Sequence, residues 1–438
     1  MFSLYSLLLT ISFVILLPRF VFDVLRKGKY AVGFWQRLGY LPEFVPNEKD
    51  VLWIHCVSVG ETNAARPLVT ELINNFPDYR LIISTTTKTG QKIAREIFAG
   101  EADFIFYFPF DWRFSVRRVL RTIKPSVVLL METELWFNFL REAGRNGAKI
   151  ALVNGRLSEK SAARYLYIRK FVCRVLGFVD LALMQGERDA ERLIQLGIDA
   201  EKVKVTGNIK FDQKFDEAEN NLTQELQRRF CISKDAPLII AASTHAPEEK
   251  WILQAFKDVR QKSKGKLPRL LIAPRHPERF EEVAKLIKEM GLELARRSQK
   301  ISEQDYSAEV ILLDSIGELR AAYHLAEIVF VGGSLIPHGG QSILEPAIAQ
   351  KAIVTGFYTM NFDAATKEFL EHNALVQLPQ LSENEISSKL AGTFLSLLQD
   401  AETRNQLAKN ASSVMEKNRG ATTKTIELLK PLLQILDK

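Results

Sequence analysis

From Val51 to Thr206 the chain repeats one unit: a short apolar run rich in Val, Ile and Leu, then a helical stretch. The runs fall at residues 51–57, 81–85, 104–108, 127–131, 150–153, 181–184 and 203–206. They lack the period-two polar alternation of a half-exposed strand. Each reads as a strand buried on both faces, with the intervening helices covering a parallel sheet. Residues 207–237 break the rhythm, and their polar centre, FDQKFDEAENNLTQELQRR, suits one surface helix. The alternation then restarts at 238–242, 270–273, 310–313, 328–331 and 353–355. Two Rossmann-like α/β domains facing a cleft are therefore expected, and 438 residues are enough for two cores of roughly 150–200 residues each. The predicted division is 1–27 as a separate N-terminal helix, 28–207 as the first domain, 208–236 as a linker and 237–420 as the second domain. Residues 421–438 form an amphipathic helix that packs back on the first domain. Such a plan gathers ligands at the carboxyl ends of the strands. It serves several unrelated chemistries, so the residues at those ends decide the function.

The N-terminus reads FSLYSLLLTISFVILL over residues 2–17, without a charge, followed by Pro18, Arg19 and the apolar patch 20–22. A full span needs about 20 apolar residues, which this segment reaches if Arg19 extends to the boundary. A cleaved signal peptide would want basic residues before the run and small residues after it, and neither is present. The basic residues follow the run, which by the positive-inside rule places the rest of the chain in the cytoplasm. An uncleaved membrane anchor over 1–27 is the expectation, with a buried amphipathic helix as the competing one.

Four strand ends carry reactive groups. Ser58-Val59-Gly60-Glu61-Thr62 follows the first run, with Gly60 easing a tight turn and Glu61 in the first helical turn. A carboxylate there complements the helix dipole, or it serves as a general base whose partial desolvation raises its pKa. Met131-Glu132-Thr133-Glu134-Leu135-Trp136 offers two carboxylates and an indole, to bind hydroxyls, to orient Glu61 or to cap the next helix. Arg275-His276-Pro277-Glu278-Arg279 suits a phosphate, or is a solvated loop; Ser243-Thr244-His245 adds donors to the same edge. Gly332-Gly333-Ser334 and Gly339-Gly340-Gln341-Ser342 allow backbone amides to approach a phosphate, the second opening a helix whose Glu345 is placed for ribose hydroxyls.

Missing patterns narrow the field. There is no GxGxxG, GxxxxGK[ST] or DxD, and the six histidines show neither HExxH nor paired-ligand spacing. Neither a dinucleotide cofactor nor a metal is expected. Cys56, Cys173 and Cys231 form no CxxC pair and suit a reducing compartment. The formal charge of +7 points to an anionic partner, and on charge alone nucleic acid, anionic lipid and a phosphorylated substrate fit equally.

Seven blocks occur in an order that resembles the bacterial 3-deoxy-D-manno-octulosonic acid (Kdo) transferase family. They are HCVSVGET at 55–62, METELW at 131–136, NGRLSEKSAARY at 154–165, TGNIKFD at 206–212, RHPERF at 275–280, GELRAAYHLAEIVFVGGS at 317–334 and GGQSILEPA at 339–347. The resemblance implies a GT-B glycosyltransferase anchored at the cytoplasmic face of the cell inner membrane. Such an enzyme transfers Kdo from CMP-Kdo to a lipid A precursor, lipid IVA, in lipopolysaccharide synthesis, with inversion and without a metal or other cofactor. It implies no nucleic-acid partner. It assigns the general base to Glu61. CMP contacts fall on Arg275 and His276, on Ile316, Gly317 and Glu318, and on Ser342, Ile343, Leu344 and Glu345. An epimerase-like or non-catalytic binding relative is the alternative. Two departures stand out: Gln36 replaces a Glu common before the Arg-x-Gly of the post-anchor segment, and Gly339–Ser342 reads GGQS where many relatives read GGHN. Arg117, Arg118, Arg121, Lys124, Arg164, Arg169, Lys170 and Arg174 are candidates to face lipid phosphates, or are solvated helix faces.

Overall fold

Two parallel sheets organise the chain, in a computed structural model that describes residues 1–27, 32–45, 47–213, 217–233, 235–263 and 265–434, without the side chains of 19–27, 217 and 218. The first compact unit comprises Met1–Gln213 and Asn418–Lys438, the second Lys214–Lys417. Unit 1 contains β1 (Val51–Cys56), β2 (Arg80–Thr85), β3 (Phe104–Tyr107), β4 (Val127–Met131), β5 (Lys149–Gly155), β6 (Leu181–Met184) and β7 (Val203–Val205). Their spatial order is β3-β2-β1-β4-β5-β6-β7, with every pair parallel. The order reverses between β1 and β4, which makes that pair the switch point of the sheet.

Sheet 1 is covered on both faces, as its apolar runs require. Trp53 is fully buried, edge-on to Phe139 at 4.9 Å and 5.2 Å from Phe106, and its indole N–H donates to Ser84 Oγ at 2.7 Å. Truncating a side chain of that size in a packed core costs about 3–5 kcal/mol. On the other face, Leu68, Val69 and Leu72 share a core cluster with Ile426, Leu429 and Leu433 of the last helix, Ala421–Gln434. That helix is fixed at both ends: Asp212 accepts the Gly420 and Thr422 N–H groups at 2.7 and 2.6 Å, and the Tyr79 hydroxyl donates to Leu433 O at 2.7 Å.

Unit 2 contains β8 (Leu238–Thr244), β9 (Arg269–Pro274), β10 (Leu294–Arg296), β11 (Val310–Leu312), β12 (Ile328–Val331), β13 (Ala352–Thr355) and β14 (Val376–Gln377). The order is β10-β11-β9-β8-β12-β13-β14, again all parallel, with its switch point between β8 and β12. The polar stretch after unit 1 contains the helix Glu217–Arg229, whose end is fastened into unit 2. Buried Arg229 pairs with buried Asp305 at 3.0 Å and donates to the carbonyls of Arg296, Arg297 and Gln299.

The N-terminal segment forms the helix Phe2–Lys27, but it does not support the expected single-pass anchor. No helix among the described residues is long and apolar enough to cross a membrane. Its few polar side chains decide its placement, since one face is hydrogen-bonded to unit 1. The Tyr5 hydroxyl donates to Asp111 at 2.8 Å, Asn138 donates to Ser6 Oγ at 3.0 Å, and the Trp112 indole donates to Thr10 at 3.1 Å. Phe2 meets Phe171 at 5.0 Å and Phe13 meets Trp112 at 4.9 Å. Leu4, Leu7, Leu8, Ile11, Val14 and Ile15 remain exposed. The side chains of Arg19 and of the 20–22 patch lie outside the described residues.

Candidate functional site

Candidate residues collect at the two switch points. In unit 1, the helix Val59–Asn75 starts just after β1, and Glu61 in its first turn is only 6% exposed. Its Oε2 accepts the Val57 N–H at 2.7 Å and its Oε1 accepts the Ser58 hydroxyl at 3.0 Å. Burial raises the Glu61 pKa, the neighbouring Glu132 charge raises it further, and Glu134 adds to the effect. The Val57 and Ser58 hydrogen bonds pull the other way without cancelling it, and the result is about 8. A carboxyl held there exchanges a proton near neutral pH, which a general base requires.

Glu132 directly follows β4 and takes a left-handed conformation, φ 57°, that non-glycine residues seldom adopt. Its N–H donates to Val153 O at 2.8 Å, and its carboxylate accepts the Lys210 ammonium at 2.8 Å. Glu134 is pushed up by burial and by Glu132. Thr133 accepts the Arg156 N–H at 2.9 Å. The Trp136 indole nitrogen is buried without a partner among the described residues, and its ring lies 5.5 Å from Phe108. Three carboxylates thus act on one another around a single ammonium, and Lys210 is the member that sequence reasoning did not single out. Gln36 has a local role, since its Oε1 accepts the Tyr107 N–H at the end of β3, at 3.0 Å. An amide oxygen fills that place as a carboxylate oxygen would. Arg37 beside it lies over the Tyr107 ring and donates to Thr86 O.

In unit 2, β8 ends in an irregularity between Ala242 and Thr244, with Ser243 at φ 53°. The bulge re-aims Thr244 and His245. The next helix begins with two buried carboxylates, each consumed by the protein. Glu248 accepts four backbone N–H groups, from His245, Gly333, Ser334 and Leu335, at 2.7–3.0 Å. Glu249 accepts the Thr244 hydroxyl and a two-pronged contact from Arg279. These carboxylates lock the loop after β12 against the end of β8. Gly332 sits in that lock, where a Cβ would lie 2.7 Å from Thr244 Cα.

The structure brings His245 together with His276, 5.2 Å between ring centroids, and with His338, 4.1 Å away. His245 is 6% exposed, whereas Arg275, His276 and His338 are exposed. Burial lowers the His245 pKa, and the cationic tendencies of His338, His276 and Arg275 lower it further, to about 4. Glu248 and His338 carry no local sequence signature for these roles.

Other predicted contacts divide. Gly317, at φ 91°, has open space where a Cβ would stand, and Ile316 beside it is exposed. The Glu318 carboxylate is committed within the protein: Arg297 grips both oxygens at 2.7 and 2.9 Å and Ser315 donates at 2.6 Å. Burial alone would raise its pKa, but those hydrogen bonds outweigh it and hold the group down. The second glycine pair does not open a helix. Gly339 and Gly340 are left-handed loop residues, and the helix Leu344–Ile348 starts later and runs only five residues. Gly340 N–H instead donates to Gly333 O at 2.7 Å, tying the two glycine pairs together. Ser342 Oγ lies 3.4 Å from the Leu344 N–H it accepts, Ile343 and Leu344 are buried, and Glu345 occupies the first turn.

Of the basic candidates, Arg117 is drawn to buried Glu142 at 2.6 Å, Arg118 donates to Leu38 O at 3.0 Å and Arg169 to Gln195 O at 2.7 Å. Arg121, Lys124, Arg164, Lys170 and Arg174 are exposed.

The family model described as 3-deoxy-D-manno-octulosonic-acid transferase (kdotransferase) matches residues 33–213. A 3-deoxy-D-manno-octulosonic acid transferase of Haemophilus influenzae is 33% identical over 414 residues, covering 93% of each chain. One from Chlamydia trachomatis serovar A is 29% identical over 428 residues, 98% of this chain and 96% of that one. Among solved structures, a UDP-N-acetylglucosamine 2-epimerase, so described with reservation, from Listeria monocytogenes superposes with a TM-score of 0.60 over 89% of this chain and 98% of its own. A glycosyltransferase from Rickettsia africae gives 0.58 over 90% and 100%. At 14% and 12% identity these two speak for the fold alone: paired α/β units of the GT-B kind.

Proposed function

This chain belongs to the 3-deoxy-D-manno-octulosonic acid transferase family of glycosyltransferases, and from that premise we propose that it moves Kdo from CMP-Kdo to a lipid A precursor, lipid IVA, releasing CMP with inversion. The observation that carries the mechanism is Glu61, buried at the β1 strand end with its pKa lifted to about 8. In this reading Glu61 takes the proton from the acceptor's 6′-hydroxyl. The oxygen bonds to the anomeric carbon of Kdo as that carbon's bond to the CMP phosphate oxygen breaks. Arg275, His276, the 316–318 loop and Ser342–Glu345 hold CMP, and cationic and backbone N–H groups take up the charge of the leaving phosphate. The reading assigns the reaction no metal or other cofactor.

The acceptor is a lipid, and the surface of unit 1 suits a membrane face. The helix Phe2–Lys27 presents Leu4, Leu7, Leu8, Ile11, Val14 and Ile15 outward, and Trp35, Phe114 and Tyr167 of the same unit are also exposed. Exposed apolar side chains accompanied by Arg121, Lys124, Arg164 and Lys170 favour an element lying along an anionic lipid surface. The cytoplasmic face of the inner membrane is the place this reading assigns.

The test is mass spectrometry of tetraacylated, bisphosphorylated lipid A precursor incubated with the full-length protein and CMP-Kdo generated in situ, with and without EDTA. The expected result is a gain of one or more Kdo masses, unchanged by EDTA. Absence of product while CMP still binds would overturn the acceptor; loss of product in EDTA would overturn the metal-free step.

A further inference from the structure

The histidine cluster at the unit 2 switch point is larger than a nucleotide phosphate requires. Three imidazoles and Arg275 crowd one strand-end edge, and the two buried carboxylates that follow His245 are spent, Glu248 on four backbone N–H groups and Glu249 on Arg279 and Thr244. Buried His245 supplies the second observation. Its Nδ1 lies 3.1 Å from Ser243 O, and a carbonyl only accepts, so Nδ1 carries the hydrogen. Its Nε2 is buried with no partner among the described residues. A buried polar atom in that condition costs stability unless a ligand meets it. Among the described residues no three His, Cys, Asp or Glu side chains are grouped to hold a metal ion, so the cluster is not read as a metal site.

We propose that His245 and His338, beside Arg275 and His276, form a second oxyanion site that receives the carboxylate of the transferred sugar. The proposal rests on the donor assigned above. Kdo is a 2-ulosonic acid, so its anomeric carbon bears a carboxylate as well as the bond to phosphate. Two oxyanions on one carbon need two sets of partners, whereas a neutral sugar nucleotide needs one. The Arg275–His276 pair serves the phosphate, and His245 Nε2 with the His338 ring serves the carboxylate. The charges that act most strongly on His245 are those of His338, His276 and Arg275, all cationic in tendency. An anion placed among them opposes that repulsion and favours the imidazolium, whose Nε2–H then donates to it. Gly333 belongs to the same construction: at φ 66°, a Cβ there would stand 3.4 Å from both the His245 and His338 rings.

The test is calorimetry on the full-length chain, its His245→Gln and His338→Ala variants and the double variant. CMP and cytidine are titrated first, then free Kdo and Kdo methyl ester into protein saturated with CMP. Wild-type protein should prefer the acid to the ester about tenfold or more, the scale of one charge-assisted hydrogen bond. Each variant should lose most of that preference while binding CMP within about twofold of wild type, again in keeping with that scale. Because His338 is exposed, His338→Ala tests the idea without disturbing the core. If the variants weaken CMP and leave the acid-to-ester ratio intact, the cluster serves the phosphate and the carboxylate assignment is overturned. Unchanged binding of both ligands would overturn it equally. Failure of wild-type protein to prefer CMP over cytidine would instead remove the donor reading itself, and this inference with it.

Discussion

The two switch points share a topology and carry opposite chemistry. After β1 and β4 stand Glu61, Glu132 and Glu134; burial and the Glu132 charge keep Glu61 and Glu134 reluctant to ionise, and Lys210 is a cation in contact with Glu132. After β8, β9 and β12 stand His245, Arg275, His276 and His338, while the adjacent carboxylates are neutralised by backbone N–H groups and Arg279. A parallel sheet offers the same crevice in both units, and the side chains placed there decide whether it removes a proton or receives an anion. Glycosyl transfer to a hydroxyl needs one of each. The comparison also explains why two buried glutamates, both helix-starting, have different work. Burial raises the pKa of both, but Glu61 accepts two hydrogen bonds, both from its own strand end, whereas Glu248 accepts four from two loops and ties them together.

The comparison breaks most severely at Glu248. Glu248→Ala leaves four buried N–H groups without an acceptor and unties the loop after β12 from the end of β8. A loss of about 3–5 kcal/mol is expected, read as a fall in the denaturation midpoint of unit 2. A change below about 1 kcal/mol would show that water replaces the carboxylate there.

Glu61→Gln should have the reverse signature. Turnover should fall by about a hundredfold or more, the usual scale for losing a general base, with CMP affinity unchanged. Its stability should gain on that of wild type as pH rises towards 8. The folded-state pKa of about 8 lies above the ordinary 4.5, so between those values the folded chain retains a proton that the unfolded chain has released. Stability therefore falls as pH rises from about 4.5 to about 8. Gln abolishes that slope, and at pH 8 the variant should gain roughly 4 kcal/mol relative to its difference from wild type at pH 4.5. Parallel urea curves for the two proteins across that window would mean that Glu61 is not strained by burial.

The strands were legible because each central run is apolar on both faces, and only β10 and β14 escaped. LAR and VQ are three- and two-residue edge strands, too short to show a pattern. Glu61, Arg275 and His276 were visible because they abut strand ends. The partners that define their environments were not: Lys210 meets Glu132 across 78 residues, and Glu248 meets Leu335 across 87. A register shift at Ser243 brings His245 into the cluster, and no local residue pattern announces it. Hydropathy likewise did not show how the N-terminal helix meets unit 1. Tyr5, Ser6 and Thr10 barely lower the hydropathy of an apolar run, yet their hydrogen bonds to unit 1 determine where that run lies.

The finest test of the acidic switch point is Lys210. Its ammonium sits 2.8 Å from Glu132, whose charge is the largest of the electrostatic influences raising Glu61. Lys210→Met removes a cation in contact with Glu132, and the remaining negative charge makes ionisation of Glu61 harder still. The observable is the acidic limb of the kcat/KM profile rather than a value for one residue. That limb should move to higher pH by roughly half a unit to one unit, and Lys210→Arg should restore it. CMP affinity should not move if CMP is held in unit 2 as proposed. A lower kcat/KM with an unshifted limb would reduce Lys210 to a structural tie between the β4 end and the 209–212 turn. A shifted limb would show that the base is tuned by three carboxyls and one ammonium acting together.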